Sequence, residues 1–221
     1  MSSDWDLIGR TGLAFFGTMT ASISHEIKNV LAIINENAGL LEDITLMAEK
    51  GSPIDPERLK TQAARIKNQV SRADGIVKNM NKFAHSVDES LVSVDLAELS
   101  ELLAALSGRF AYTRGVKLEL ASMGSSATIM TNPFLLQNLI WLCLDFAMDM
   151  SGSGKTVGLI AEKTEAGGRI RFTQLEALGE PPTDKFPGEV EAALLAALKA
   201  QITKDVQGKE IVLTISKHIE P

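Results

Sequence analysis

Two stretches near the start of the chain repeat apolar or small residues at alternating steps of three and four, with no proline inside either stretch. This is the heptad pattern of long helices that pack lengthwise against other helices. Between the stretches, residues 51–56 read Gly-Ser-Pro-Ile-Asp-Pro, which breaks a helix. Asp55 is suited to cap a second helix, and Pro56 to occupy its first position. The repeating positions are Leu13, Phe16, Thr20, Ile23, Ile27, Val30, Ile34, Asn37, Leu41, Ile44 and Ala48, then Leu59, Ala63, Ile66, Val70, Ala73, Val77, Met80 and Ala84.

Two long helices joined by a short turn form an antiparallel hairpin, and a lone hairpin leaves one side of its apolar seam open to water. Pairing with a second copy covers that side, because the four helices then share one core. The pattern therefore predicts a homodimer through residues 13–84, built as a four-helix bundle.

Beyond residue 91 the pattern changes to short alternating segments and shorter amphipathic helices. Strands are predicted at 92–94, 116–120, 127–130, 156–161, 169–173 and 210–215, and helices at 95–113, 132–149 and 189–202. This mixture predicts an α+β fold in which helices cover one face of a sheet. We place the hairpin at residues 11–88 and a small α/β sandwich at residues 92–221.

Composition narrows the possible partners and locations. The net charge is −6 and aromatic residues make up 5% of the chain, which argues against a broad nucleic-acid surface. The first residues are acidic rather than basic, and the longest apolar stretch, 134–150, is interrupted by polar side chains, so we expect neither an export signal nor a membrane span. A cytoplasmic protein is expected, with its single cysteine, Cys143, buried as a small hydrophobe.

The segment 24–31, Ser-His-Glu-Ile-Lys-Asn-Val-Leu, carries the most chemistry. On a helix, His25 lies about 200° around from the seam residue Ile23 and therefore faces solvent. Asn29 lies one turn further along the same face, and Glu26 and Lys28 flank it. An exposed imidazole beside a carboxylate is a usable nucleophile near neutral pH, and an ammonium group can approach a phosphoryl oxygen. Because most exposed histidines are inert, the geometry alone leaves both interpretations open.

The same segment resembles the phosphoacceptor box of two-component sensor histidine kinases, whose closest variant reads His-Glu-Ile-Lys-Asn-Pro-Leu. The chain departs from that pattern at Val30, where proline is usual. The resemblance implies that the hairpin dimerises as a four-helix bundle and that His25 accepts a phosphoryl group. It also implies that Glu26 acts as a base or orienting group, and that Asn29 holds a water in line with an aspartyl phosphate on a partner.

The second half is similar in element order to the ATP-binding domain of that family, but its nucleotide-binding motifs are missing. Residues 131–139 resemble the start of the helix that carries a metal-ligating asparagine in the family, whereas this chain continues with Asp145 and Phe146. No Asp-x-Gly loop follows residues 169–173, and the next helix is too close for a glycine-rich lid. We therefore expect a domain that keeps the fold and has lost ATP, with no cofactor of its own and Mg²⁺ supplied by a partner.

Two further features are interpreted as structural. Residues 151–156, Ser-Gly-Ser-Gly-Lys-Thr, end like a phosphate-binding P-loop, but they lack its first glycine and follow a helix rather than a strand, so a turn is expected. His85 and His218 have no carboxylate or cysteine neighbour at ligand spacing and are expected to be ordinary surface or core residues.

Together these features favour a histidine phosphotransferase of a bacterial phosphorelay. His25 would take a phosphoryl group from the aspartyl phosphate of one response-regulator receiver domain and pass it to another, assisted by Glu26 and Asn29 and with Lys28 at the phosphoryl group. Three alternatives remain open: a pseudokinase that dephosphorylates or sequesters a response regulator, an inert dimeric scaffold, and an autokinase with unusual nucleotide contacts.

Overall fold

The computed structural model describes residues 2–123, 127–180 and 185–217. The chain divides into two compact units: residues 20–82 form one, and residues 1–19 together with 83–221 form the other. Among the described residues, none of the helices combines the length and the apolar character that a membrane crossing requires.

The two long helices predicted from the heptad pattern are present as α1 (Ser2–Glu49) and α2 (Pro56–Ala84). The Asp55 carboxylate accepts a hydrogen bond from the backbone N–H of Glu57 (3.0 Å), so it caps α2 as the sequence predicts. Residues 33–40 of α1 and 65–69 of α2 line one cavity of about 380 Å³. The helices of the 20–82 unit therefore lie side by side as a hairpin.

One row of α1 residues, spaced seven apart, forms the buried stripe of the hairpin: Ile23, Val30, Asn37 and Ile44. The half-buried residues of α2 in this unit are Leu59, Gln62, Ile66, Gln69, Ala73, Ile76, Asn79 and Met80. Ala63, Val70 and Val77, which the sequence pattern places in the α2 stripe, are exposed. The heptad pattern of α2 thus covers two adjacent faces, of which only one is buried within a single chain.

The first turns of α1 pack within the other unit. Ile8, Phe15 and Met19 are buried, and the Phe15 ring centroid lies 5.4 Å from that of Phe83 and 5.7 Å from that of Phe134. This buried row explains why α1 begins well before the predicted stripe.

Gly12 belongs to the same row, and a Cβ at this position would lie 3.0 Å from the Phe134 ring. Glycine is therefore the residue that lets this ring approach the helix.

The domain limits of 11–88 and 92–221 stay a prediction, because packing alone groups the first turns of α1 with the α/β unit.

From residue 92 onward, the described part of the α/β unit contains three α-helices and seven strands. They are β1 (Val92–Asp95), α3 (Leu96–Arg114), β2 (Lys117–Met123), β3 (Thr128–Thr131), α4 (Pro133–Asp149), β4 (Thr156–Thr164), β5 (Gly167–Thr173), α5 (Glu189–Leu198), β6 (Ala200–Asp205) and β7 (Glu210–Ser216). Side chains cap two of the helices: Asp95 accepts from the N–H groups of Ala97 and Glu98, and Asn132 accepts from that of Leu135. The predicted α+β class is confirmed.

The main sheet has the strand order β2-β4-β5-β7-β6, and β1 and β3 form a separate antiparallel pair. β2 and β4 are parallel, whereas the other neighbouring strands are antiparallel. The core lies between the sheet and the helices, with alternate residues of β4, β5 and β7 fully buried. Cys143 of α4 lies in this core as expected, and burial raises the pKa of its thiol.

Two predicted segments near the sheet have different outcomes. The helix expected over 189–202 ends at Leu198, because Lys199 takes a left-handed conformation (φ 48°) and β6 starts at Ala200. The turn expected over 151–156 is present as a short 3₁₀ turn at 152–154 that leads directly into β4.

A charged network joins β4, β5 and β7. Glu162 accepts hydrogen bonds from Arg169 and from Arg171 Nη1 (3.2 Å), and Arg171 also donates to Glu210 through Nε (2.9 Å) and Nη2 (2.6 Å). Burial alone would raise the pKa of the Glu162 carboxyl, but the hydrogen bonds and positive charges of the two arginines outweigh it and hold the pKa below its usual range. The network therefore stabilises the sheet when the Glu162 carboxyl group is ionised.

Replacing Glu162 by Gln is expected to lower the free energy of unfolding by about 1–2 kcal/mol at about pH 7. Because the folded-state pKa is lowered, this contribution is present above the ordinary carboxyl pKa of about 4.3 and is lost as the pH falls through the folded-state value. Urea unfolding over a series of pH values from about 7 down to about 2 measures how the difference changes. Glu165→Gln, at an exposed turn position, is the matched control; a wild-type advantage over Glu162→Gln that does not shrink as the pH falls would contradict the assignment.

Asn37 is the polar residue of the buried α1 row. Its Nδ2 donates to the carbonyl of Ile33 (2.6 Å), but its buried Oδ1 has no hydrogen-bond partner among the described residues. An unpartnered buried acceptor costs about 1–3 kcal/mol, so Asn37→Val is expected to raise the free energy of unfolding by about 1 kcal/mol. Val30→Ala, one heptad earlier in the same row, is expected to lower it by about 1–3 kcal/mol. Equal destabilisation of both variants in urea titrations would contradict this expectation and would indicate that Asn37 Oδ1 has a hydrogen-bond partner in the assembled protein.

Candidate functional site

His25 lies on an uninterrupted stretch of α1. Ile23 and Val30 are buried on the seam side of the helix, 4% and 0% exposed, whereas His25 is exposed. The buried row fixes the rotation of the helix, and the imidazole is thereby turned to solvent. Val30 occupies the position at which the histidine kinase phosphoacceptor box usually has proline. Unlike proline, valine has a backbone N–H, and its side chain is buried in the seam, so the helix continues through the site.

Among the described residues, one side chain makes a hydrogen-bond contact with the His25 imidazole. Asn29 Nδ2 lies 3.2 Å from His25 Nδ1, and both side chains are exposed. The contact follows from helix geometry, because residues four apart lie one above the other on the same face. The other ring nitrogen, Nε2, makes no hydrogen bond within the described parts of the chain.

The other two predicted site residues are close in sequence but do not join this contact. Glu26 is half-buried, and no hydrogen bond links it to His25 in the described structure. Lys28 is exposed and follows His25 by three positions, which places its ammonium group within reach of the same helix face. The structure thus brings together His25 and Asn29 rather than His25 and Glu26.

A second histidine has a carboxylate neighbour that the sequence analysis missed. His85 Nδ1 lies 2.7 Å from Asp88 Oδ2, and both side chains are well exposed. His85 begins the short 3₁₀ turn that follows α2, and Asp88 is the residue directly after that turn. The expectation that His85 lacks such a neighbour is therefore wrong, and the three-residue spacing is the signal that was available. His218 lies outside the described residues.

Helix α4 resembles the helix that carries a metal-ligating asparagine in histidine kinases. In this chain, Asp145 of that helix belongs to an ion pair. Asp145 Oδ1 accepts a hydrogen bond from Arg114 Nη2 (2.8 Å), and Arg114 Nε lies 3.4 Å from Asp149 Oδ1. The next residue, Phe146, stacks on Phe186 with ring centroids 4.1 Å apart and planes 7° from parallel. Asp145 is thus held by an arginine of α3, and its neighbour forms an aromatic stack.

An apolar segment follows β5 where the resembling domain has a glycine loop. Leu175 and Leu178 are buried, the N–H of Leu175 donates to the carbonyl of Lys209 (2.9 Å), and the N–H of Ala177 donates to that of Met150 (3.0 Å). The segment is therefore fastened at both ends to neighbouring backbone. Residues 181–184, which follow it, lie outside the described residues.

Three solved structures illustrate what the chain is similar to. The histidine kinase AdeS of Acinetobacter baumannii is 16% identical over 88% of this chain and 98% of that chain, with a TM-score of 0.48. The histidine kinase ThkA, solved in complex with the response regulator TrrA, is 19% identical over 95% of this chain and 64% of that one, with a TM-score of 0.46. A bacterial phosphotransferase is 16% identical over 91% of this chain and 95% of that one, with a TM-score of 0.43.

No protein-family model matches the sequence, and none of the curated proteins matches it. The three structures named above are two histidine kinases and a phosphotransferase. At TM-scores below 0.5 these likenesses carry no conclusion about activity, which has to be argued from the chain's own residues.

Proposed function

We propose that the protein is a histidine phosphotransferase that relays a phosphoryl group between receiver-domain aspartates through His25. The observation that carries the proposal is an exposed imidazole on a continuous helix, with Asn29 at Nδ1 and no described residue hydrogen-bonded to Nε2. Relay requires a nucleophile that two different partners can reach in turn, and His25 satisfies this requirement. The proposal places the protein in the cytoplasm with its response-regulator partners.

The transfer step uses the lone pair of His25 Nε2. It attacks the phosphorus of an aspartyl phosphate on the donor receiver, the N–P bond forms, and the P–O bond breaks with its electron pair going to the aspartate carboxylate. The second receiver reverses these changes: its aspartate attacks the phosphorus, and the N–P electrons return to Nε2. No proton has to leave Nδ1 in either direction. Mg²⁺ bound in the receiver would neutralise charge on the phosphoryl oxygens.

Lys28 and Glu26 have different parts in this proposal. The exposed Lys28 ammonium group lies on the same side of α1 as the imidazole and would contact a phosphoryl oxygen during transfer. Glu26, half-buried and one residue further around the helix, would contact the incoming partner, since the transfer step itself moves no proton.

ATP is not the phosphoryl source in this proposal. Three positive observations support this: Arg114 occupies the Asp145 carboxylate, Phe146 and Phe186 stack, and apolar residues 175 and 178 replace a glycine loop. A nucleotide phosphate chain requires close backbone approach and free polar groups, and this region instead offers packed rings and an occupied carboxylate. The phosphoryl group would therefore come from a phosphorylated protein.

Homodimerisation through the hairpin is part of the same proposal. Leu31 of α1 and Val70 and Val77 of α2 are 56%, 53% and 40% exposed, and the two valines are spaced by a heptad. A regularly spaced exposed apolar row on a long helix is what a bundle partner buries. A second copy presents the same row, so a symmetric pairing covers both.

His25→Gln is expected to abolish phosphoryl transfer from a phosphorylated receiver domain while changing the free energy of unfolding by less than about 0.5 kcal/mol, because the side chain is exposed. A radiolabel chase from receiver to protein, with thermal unfolding of each variant, measures both quantities. His85→Gln is the matched control and is expected to accept label normally.

Other outcomes of this chase would support the alternatives. Label that persists in His25→Gln would exclude His25 as the acceptor, and loss of receiver phosphate without labelled protein would favour the pseudokinase that dephosphorylates a regulator. Labelling of the wild type by γ-labelled ATP alone would indicate an autokinase. Absence of any exchange with a panel of receivers would favour the inert scaffold.

Val70→Glu combined with Val77→Glu is expected to convert the dimer to a monomer at micromolar concentration, because four carboxylates would enter the shared core. Ala64→Glu combined with Ser71→Glu is the matched control, since these exposed residues have the same seven-residue spacing but lie about 100° around the helix. Light scattering measures the mass of both variants. A wild-type protein that is already monomeric would overturn the dimer, and so would a valine double variant that stays dimeric.

A further inference from the structure

Building on the proposed function, we infer that Asn29 is the positioning residue that orients the His25 imidazole and controls which of its ring nitrogens carries the proton, and that Glu26 is not. The inference rests on the contact between the Asn29 amide and His25 Nδ1. It goes beyond the motif resemblance, which assigns the orienting part to the carboxylate of Glu26 and only a water-holding part to Asn29.

The tautomer decides whether His25 can react. Neutral imidazole carries one proton, and the nitrogen that bears it has no lone pair to offer. Attack through Nε2 therefore requires the proton on Nδ1, and that proton needs an acceptor. The group that contacts Nδ1 sets the balance between the two forms.

The Asn29 amide can support either tautomer from the same place. With Nδ2 toward the ring, at 3.2 Å, the amide donates to a bare Nδ1 and the proton lies on Nε2, so the imidazole is held in its unreactive form. Rotation of the amide by about 180° presents Oδ1, which accepts from Nδ1–H and frees the Nε2 lone pair. The two arrangements have the same shape, so the exposed side chain exchanges them without disturbing α1.

Glu26 is poorly placed for this task. Adjacent residues on a helix point about 100° apart, whereas residues four apart lie on one face. The Glu26 side chain is half-buried and makes no hydrogen bond to His25, although both residues are described. The carboxylate is therefore left to act on the incoming partner.

During transfer, the accepting form of the amide stabilises the product as well. Formation of the N–P bond at Nε2 leaves positive charge on the ring and strengthens Nδ1–H as a donor. Oδ1 of Asn29 accepts that stronger hydrogen bond. The hydrogen bond weakens again when the second aspartate takes the phosphoryl group and the ring returns to its neutral form. A single neutral amide thus supports both directions of the relay.

The test compares isosteric replacements. Asn29→Asp keeps only acceptor oxygens beside Nδ1, whereas Asn29→Leu keeps the size and removes hydrogen bonding. Glu26→Gln is the parallel change at the competing residue. The readout is the ¹⁵N NMR shift of the two His25 ring nitrogens, recorded at about pH 8.5, where an ordinary imidazole is neutral. His85, which contacts Asp88 instead, is the internal reference in every spectrum.

We expect Asn29→Asp to shift the proton of His25 to Nδ1, Asn29→Leu to remove the preference for the Nε2-protonated form that the wild-type contact gives, and Glu26→Gln to leave the tautomer ratio unchanged. Transfer to His25 from a phosphorylated receiver should fall by about tenfold in Asn29→Leu, because the hydrogen bond from Nδ1–H to Oδ1 is lost during the reaction, and recover in Asn29→Asp.

Two results would overturn the inference: an unchanged tautomer ratio in Asn29→Leu, or a ratio that responds to Glu26→Gln instead. The spectra do not depend on any receiver. If the tautomers respond as expected and no receiver transfers phosphate, the proposed function fails while the orienting contact stands.

Discussion

The rotation of α1 about its own axis is the constraint on which the site depends. Ile23, Val30, Asn37 and Ile44 repeat every seven residues and are buried together. With this row packed in the seam, the direction of the His25 side chain is determined, because a residue two positions after a buried one lies on the opposite side of a helix. Shifting the buried row by two residues would bury the imidazole. Core packing therefore determines the exposure of a residue that itself contributes nothing to the core.

The sequence was sufficient for features that local chemistry controls. The breaker segment and the Asp55 cap set the start of α2, and Asn132 followed by Pro133 sets the start of α4, as observed. β6 was missed because the apolar run through Leu198 and Ile202 fits a helix equally well. The break is made by the left-handed backbone of Lys199, and no residue type announces it. Short apolar runs carry this ambiguity between helix and strand by nature.

The candidate site was predictable in position but not in its contacts. Motif and helix periodicity place His25 on the outer face, yet the residue that touches its ring is Asn29, four positions on, not the adjacent carboxylate. The same kind of error concealed the pairing of His85 with Asp88. For His25 the adjacent carboxylate was favoured over the residue four positions on, and for His85 the carboxylate three positions on was overlooked. On helical backbone, spacings of three and four decide which side chains meet, and direct neighbours diverge.

In the α/β unit, the region where nucleotide-binding motifs were expected contains other contacts that pack it. Absent glycines alone say only that a nucleotide loop is not recognisable. The structure adds what stands in the region: Arg114 neutralises Asp145, and the Phe146–Phe186 stack adds apolar contact area. Each of these contacts stabilises the domain without any ligand, so restoring glycines would not by itself recreate a site. In the function proposed above, the packed α/β unit would serve as a rigid surface for docking receiver domains.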